Sequence, residues 1–90
     1  QLISEKYNNT VIQYKNGNKK KIVVSMKEII DDKDSTYSPL ALYFLIDNNL
    51  IQNKKEINDL FDSLIDRTSL ENEIKNLIIY KKALYNADNS

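Results

Sequence analysis

The sequence predicts an all-α fold in which antiparallel helical hairpins stack as a short solenoid of about five helices. Three observations carry that expectation. Apolar residues recur at helical spacing along five stretches, two asparagines placed to cap helices stand 35 residues apart, and the connections between stretches are short. Residues 37–66 contain one complete unit. Ser38 and Pro39 open its first helix, the serine as a cap and the proline with a φ suited to a first turn. Asn53 opens the second, with Glu56 three residues on in a capping-box arrangement and apolar Ile57, Leu60, Phe61, Leu64 and Ile65 behind it. The segment 48–52 leaves so little chain between them that the two helices must run antiparallel and bury their apolar faces together.

Taken in order, the first helix covers 3–16, where Tyr7, Thr10, Val11 and Tyr14 fall on one face. Gly17, the single glycine, ends it. A second helix covers 19–32 on the stripe Ile22, Val23, Met26, Ile29 and Ile30, and the polar run Asp31 to Thr36 closes it. The third and fourth cover 38–50 and 54–66. The fifth covers 70–86, with Thr68 or Ser69 as its cap and Glu71 and Glu73 in the first turn, where carboxylates suit the positive helix end. Its apolar positions, from Leu70 through Ile74, Leu77, Ile78 and Tyr80 to Leu84 and Tyr85, spread more than halfway round the cylinder. That breadth is expected of the exposed end of an interrupted stack.

The hairpins repeat. Asn18-Lys19-Lys20-Lys21-Ile22 returns as Asn53-Lys54-Lys55-Glu56-Ile57, and at the same shift of 35 Met26 maps to Phe61, Ile29 to Leu64, Ile30 to Ile65 and Asp31 to Asp66.

Composition limits what such a chain can do. Ninety residues fit one small domain, able to bury about 60 to 65% of its unfolded surface. Thirteen basic and 13 acidic side chains cancel, so no global field draws the chain to nucleic acid or to an anionic membrane. Twelve of the 13 basic residues are lysine, and asparagine and isoleucine are abundant, which reads as AT-rich coding and lowers the weight of any one of them. Cysteine and histidine are both absent. Disulfides, the common nucleophile-base pairs and the usual zinc sites therefore cannot be built. No catalytic residue, cofactor or metal is expected. No apolar run approaches the roughly 18 residues of a membrane span. Beginning at Gln1 without a methionine and ending in the polar 86–90, the sequence reads as a piece of a longer protein.

A helix-turn-helix pair repeating near 34 residues resembles the tetratricopeptide repeat. Tyr7, Thr10, Val11 and Tyr14 fill the first-helix positions of that pattern, and Ile22, Met26 and Ile29 the second-helix ones. In the next unit Ala41, Phe44, Leu45 and Asn48 are followed by Ile57, Phe61 and Leu64. Isoleucine and leucine replace the usual small alanines, and Asn48 stands where an aromatic is expected, so the units are tetratricopeptide-like. Within that class, Tyr37-Ser38-Pro39-Leu40-Ala41, Ile57 to Leu64, Thr68-Ser69-Leu70, Ile74, Leu77 and Ala83-Leu84 resemble a bacterial family of inner-membrane-anchored proteins similar to the ancillary subunit of the Sec translocon. The resemblance implies a transmembrane anchor upstream of Gln1, a domain on the periplasmic side, protein partners and no catalytic residues.

Two sharper chemistries are weighed and set below that expectation. Lys19, Lys20 and Lys21 could meet phosphates, making a small helical nucleic-acid-binding domain the alternative, but no aromatic platform accompanies them and three aspartates follow in the same hairpin. Asp31, Asp32, Asp59, Asp62 and Asp66 could hold a metal or form an acid-base pair, yet nothing sets one carboxylate apart and no glycine-bearing calcium loop is present. Solvated helix faces account for both groups. The expected function is protein-protein interaction through a groove along the first helices of successive units. Leu42, Ile46 and Asn49 would line it on one side, with Lys81, Leu84 and Tyr85 on the other; packing of the third helix on the fifth is the plainer account of the same residues.

Overall fold

The computed structural model describes residues 2–67 and 69–89, except the side chain of Arg67. They form five α-helices: α1 (Ile3–Tyr14), α2 (Lys19–Asp31), α3 (Tyr37–Asp47), α4 (Lys54–Arg67) and α5 (Asn72–Asp88). Among the described residues there is no strand.

The two asparagines do the same job twice. Asn18 Oδ1 accepts from the Lys21 N–H at 3.2 Å, and Asn53 Oδ1 accepts from the Glu56 N–H at 3.0 Å. Each backbone carbonyl then receives the first helical bond, from Ile22 at 3.1 Å and from Ile57 at 3.2 Å. Behind these caps the equivalent pairs Ile22 and Ile57, Met26 and Phe61, and Ile29 and Leu64 are all buried to 1% exposure or less. The sequence repeat is thus a repeat of capping and of burial.

Side-chain pairs fix the directions of the helices. Lys6 meets Glu28 at 2.8 Å, joining the start of α1 to the end of α2. Asp62 meets Lys82 at 2.6 Å, and Asn58 and Asn86 exchange amide hydrogen bonds of 2.9 and 2.8 Å, so α4 and α5 also run antiparallel. Alternate helices run parallel. Tyr7 packs tilted against Tyr37 and Tyr14 edge-to-face against Phe44, both pairs 30 residues apart, at centroid separations of 5.7 and 5.2 Å between α1 and α3. Lys27 to Glu56 at 3.1 Å and Lys33 Nζ to Ser63 Oγ at 3.1 Å align α2 with α4 in the same way. Surface ion pairs stabilise little, about 0 to 1 kcal/mol each, so their value here is as markers of direction.

The core is built by α2, α3 and α4. Met26 and Ile29, Leu42 and Leu45, and Phe61 and Leu64 are fully buried at its centre, and α5 adds one residue as deeply placed, Ile78. From α1 come half-buried Tyr7, Val11 and Tyr14, with Thr10 buried beneath and its hydroxyl bonded to the Lys6 carbonyl at 2.7 Å.

Several helix ends differ from expectation for identifiable reasons. Helix α1 stops at Tyr14, not 16, because Lys15, Asn16 and Gly17 bond three residues back in tighter turns, and Gly17 takes φ +112°. Helix α2 ends at Asp31, with Lys33 beyond it at φ 55°. Helix α3 ends at Asp47, not 50. Asn49 adopts φ 52°, its N–H bonding Ile46 O while the Leu50 N–H bonds Leu45 O at 2.9 Å, a Schellman closure with asparagine where glycine is usual.

Ser38 is not the cap of α3. Asp34 takes that role, its Oδ2 accepting from the Thr36 and Tyr37 N–H groups at 3.0 and 2.6 Å. Ser38 lies buried inside the first turn instead, donating to Ile29 O at 2.6 Å and accepting from the Asp34 N–H at 2.8 Å. Helix α5 starts at Asn72 with Glu71 as an extended N-cap residue lacking a side-chain bond, so Ser69 is not its cap. The other cap expectation, Thr68, lies outside the described residues. Leu70 remains ahead of the helix and packs against the core.

A candidate partner-binding groove

Because α1 is antiparallel to α2 but parallel to α3, and α2 is parallel to α4, which α5 opposes, α3 and α5 run in the same direction. Where α1 meets α3 the seam is filled by the two aromatic pairs. Between α3 and α5 it stays open as a groove of about 230 Å³.

Three helices supply its walls. From α3 come Tyr43, Ile46 and Asp47, which lie on one face at helical spacing. From α5 come Lys81, Leu84, Tyr85 and Asp88, a complete i, i+3, i+4, i+7 face, with Asn89 just beyond. Phe61 of α4 is the floor, fully buried, with its ring 6.2 Å from that of Tyr85. Lys81 lays its ammonium over the Tyr43 ring, 4.7 Å from the centroid, a cation–π contact and the one specific polar link across the groove among the described residues. Burial raises the Tyr43 phenol above its ordinary pKa, so it remains a neutral hydroxyl at physiological pH.

Charge gathers at one end. Asp47 is the last residue of α3 and Asp88 the last of α5, and neither helix has a basic residue in its last turn. No described ion pair involves either carboxylate. Tyr7 nearby has its pKa raised first by burial and second by the charge of Asp47.

Of the six residues expected to bind a partner, the structure brings four together: Ile46, Lys81, Leu84 and Tyr85. Leu42 is not available, being fully buried in the core. Its helix is apolar on nearly every side, so sequence periodicity could not tell the core face from the groove face. Asn49 is elsewhere as well. It serves as the left-handed residue closing α3, accepts from Gln52 Nε2 at 3.0 Å, and borders a shallow depression with Lys19, Lys20, Val23, Val24 and Leu50. Asp47 and Asp88 went unforeseen, although Asp47 adjoins Ile46 and Asp88 lies one helical turn beyond Leu84. Phe61 could not be found that way, because it rises from a third helix.

The acidic residues of α4 are spoken for in part. Asp59 pairs with Lys55 at 2.7 Å and Asp62 with Lys82, and the depression they share with Ser63 and Asp66 is lined by no apolar residue. Among the described residues no three carboxylates gather to hold a metal ion, and no helix is long and apolar enough to cross a membrane. Helix α5 also leaves Leu77, Ile79 and Tyr80 exposed. Comparison with known proteins finds no matching family model, no matching curated protein and no matching solved structure.

Proposed function

We propose that this chain is a non-catalytic protein-protein interaction domain with a tetratricopeptide-like arrangement, which seats a segment of a partner protein in the groove between α3 and α5. The observation that carries this reading is the open groove itself, over buried Phe61 and walled by Ile46, Leu84 and Tyr85, where the seam between α1 and α3 is occupied by two aromatic pairs. Its volume of about 230 Å³ falls below the roughly 300 to 1,000 Å³ usual for small-molecule sites. One or two side chains of a partner suit it better than a cofactor does.

Several features support the tetratricopeptide-like arrangement. The caps at Asn18 and Asn53 recur 35 residues apart, consecutive helices oppose one another, and alternate helices run parallel. A smallest Cα extent of 15 Å equals a helix Cα diameter of about 4.6 Å plus one interaxial distance of about 10 Å, as two helix layers require. From the resemblance at 37–41 and 57–64, the proposed setting is a bacterial inner-membrane-anchored protein facing the periplasm and assisting secretion or envelope assembly, with its anchor outside this sequence.

Selection of peptides on the folded chain tests the binding reading. Peptides enriched from a random display library are expected to lose binding to Leu84→Glu and Ile46→Glu variants whose circular dichroism matches the parent. Retention of binding by both variants would remove the groove from the proposal.

A further inference from the structure

We infer that the groove selects a basic amphipathic peptide segment, holding one of its apolar side chains between Ile46 and Leu84 and a neighbouring lysine or arginine at the end marked by Asp47 and Asp88; this rests on the groove reading above. The argument is one of charge complementarity beside an apolar cavity. Parallel helices α3 and α5 place both their C-termini at the same end of the groove, and the C-terminus of a helix carries about half a negative charge. Each of these two ends carries an aspartate as its last helical residue and no compensating base in its last turn. The nearest ammonium in the lining, that of Lys81, is held over the Tyr43 ring. Two carboxylates and two helix ends of the same sign therefore border apolar Ile46, Leu84 and Phe61.

Aspartates also stand at the ends of α2 and α4, as Asp31 and Asp66, and they provide the contrast. The depression beside Asp66 is lined only by Asp59, Asp62 and Ser63, two of them already paired with lysines, with no apolar residue among them. Near Lys19 and Lys20 the depression is apolar but bordered by cations, so it has the opposite sign. Only the α3–α5 groove, of these three depressions, joins apolar walls at Ile46 and Leu84 to carboxylates with no described ion pair. A basic group entering there gains from both aspartates and both helix ends, while an acidic one meets repulsion from all four.

Fluorescence anisotropy with the full 90-residue chain and three labelled twelve-residue peptides tests the inference. All three carry leucine and phenylalanine at the same i, i+3, i+4 positions, and differ in having lysine, glutamine or glutamate at the four polar flanking sites. The lysine peptide is expected to bind saturably, at least tenfold more tightly than the glutamine peptide, with the glutamate peptide weakest. In the Asp47→Asn/Asp88→Asn double variant, the lysine peptide should lose its advantage over the glutamine peptide. Equal binding of the three peptides, abolished by Leu84→Glu, would overturn the basic preference and leave the groove reading standing. Absence of binding by every peptide would overturn both. A concentration-dependent dimer that competes with the lysine peptide and is lost in Leu84→Glu would assign the groove to a second copy of the chain and overturn the inference.

Discussion

Replacing Ser38 with alanine removes a hydroxyl that the structure places at the junction of α2 and α3, fully buried and bonded on both sides. Its two partners fare differently once it is gone. The Ile29 carbonyl still accepts from the Asp32 N–H at 3.2 Å, whereas the Asp34 N–H has no other acceptor among the described residues. The loss is therefore one net hydrogen bond, about 0.5 to 1.5 kcal/mol, plus an orphaned half-buried donor at roughly 1 to 3 kcal/mol, and we expect about 2 to 3 kcal/mol in all. With a urea m-value near 1 kcal/mol per molar for a chain of this size, the unfolding midpoint should drop by about 2 to 3 M. Thr36→Ala is the control, since Thr36 occupies the N-cap position but makes no side-chain capping bond. It should cost under about 0.5 kcal/mol, as an ordinary surface change does. If equilibrium urea denaturation shows the two variants equally destabilised, the hydroxyl at 38 does not tie α3 to α2 and the account of this junction is wrong.

Four further outcomes can be measured with the same chain. Gly17→Ala should cost about 1 to 2 kcal/mol from backbone strain alone, because φ is +112° and a Cβ would touch nothing within 4 Å; a neutral result in urea would mean that the turn relaxes. Asn58→Ala and Asn86→Ala should each destabilise by about 1 kcal/mol, with a double-mutant coupling of roughly 0.5 to 1.5 kcal/mol, and additive losses would show that their reciprocal bonds do not hold α5 to α4. Tyr7 and Tyr43 have raised pKa values in the fold, so their contribution is complete below the unfolded value of about 10 and is lost as pH rises through the folded values. Tyrosinate absorbance and the fall in helicity should therefore rise together above that pH, and Tyr7→Phe should lessen the loss. Asp47→Asn and Asp88→Asn should each raise stability by about 0.3 to 1 kcal/mol by relieving the helix ends, so a thermal midpoint that falls would mean the carboxylates serve the fold.

How much of this was legible in the sequence depended on contrast along each helix. In α2 and α4 polar residues separate the apolar ones cleanly, so Ile22, Met26 and Ile29, and their counterparts Ile57, Phe61 and Leu64, were placed in the core by spacing alone. Helix α3 offers no such contrast between Pro39 and Ile46, and Leu42 was assigned to the groove although it faces the core. Helix ends were legible where a side chain caps them locally, as at Asn18 and Asn53. They were missed where tertiary contacts decide, as with Ser38, whose hydroxyl reaches across to α2, and at Asn49, which does the work of a glycine. Half of the groove could be read because Ile46, Lys81, Leu84 and Tyr85 follow helical spacing; its floor could not, since no local pattern puts Phe61 of α4 beneath a gap between α3 and α5.

That the gap exists at all follows from what changes between the repeats. In the first seam, Tyr7 and Tyr14 project from α1 onto Tyr37 and Phe44 of α3, and four rings leave no room between the helices. At the matching first-helix positions of the next unit, Tyr7 and Tyr14 are succeeded by Ala41 and Asn48. Neither can fill the second seam: Ala41 is small and buried in the core, and Asn48 caps the end of α3. On the far wall the residue that reaches across is Lys81, which spans to Tyr43 with a flexible stem and a single charge in place of a ring. A closed seam would have buried more apolar surface and stabilised the stack further. The chain instead keeps the rings where α1 must be held with little core of its own, and leaves the second seam open beside two aspartates that have no ion-pair partner among the described residues, a difference that the proposed segment would use.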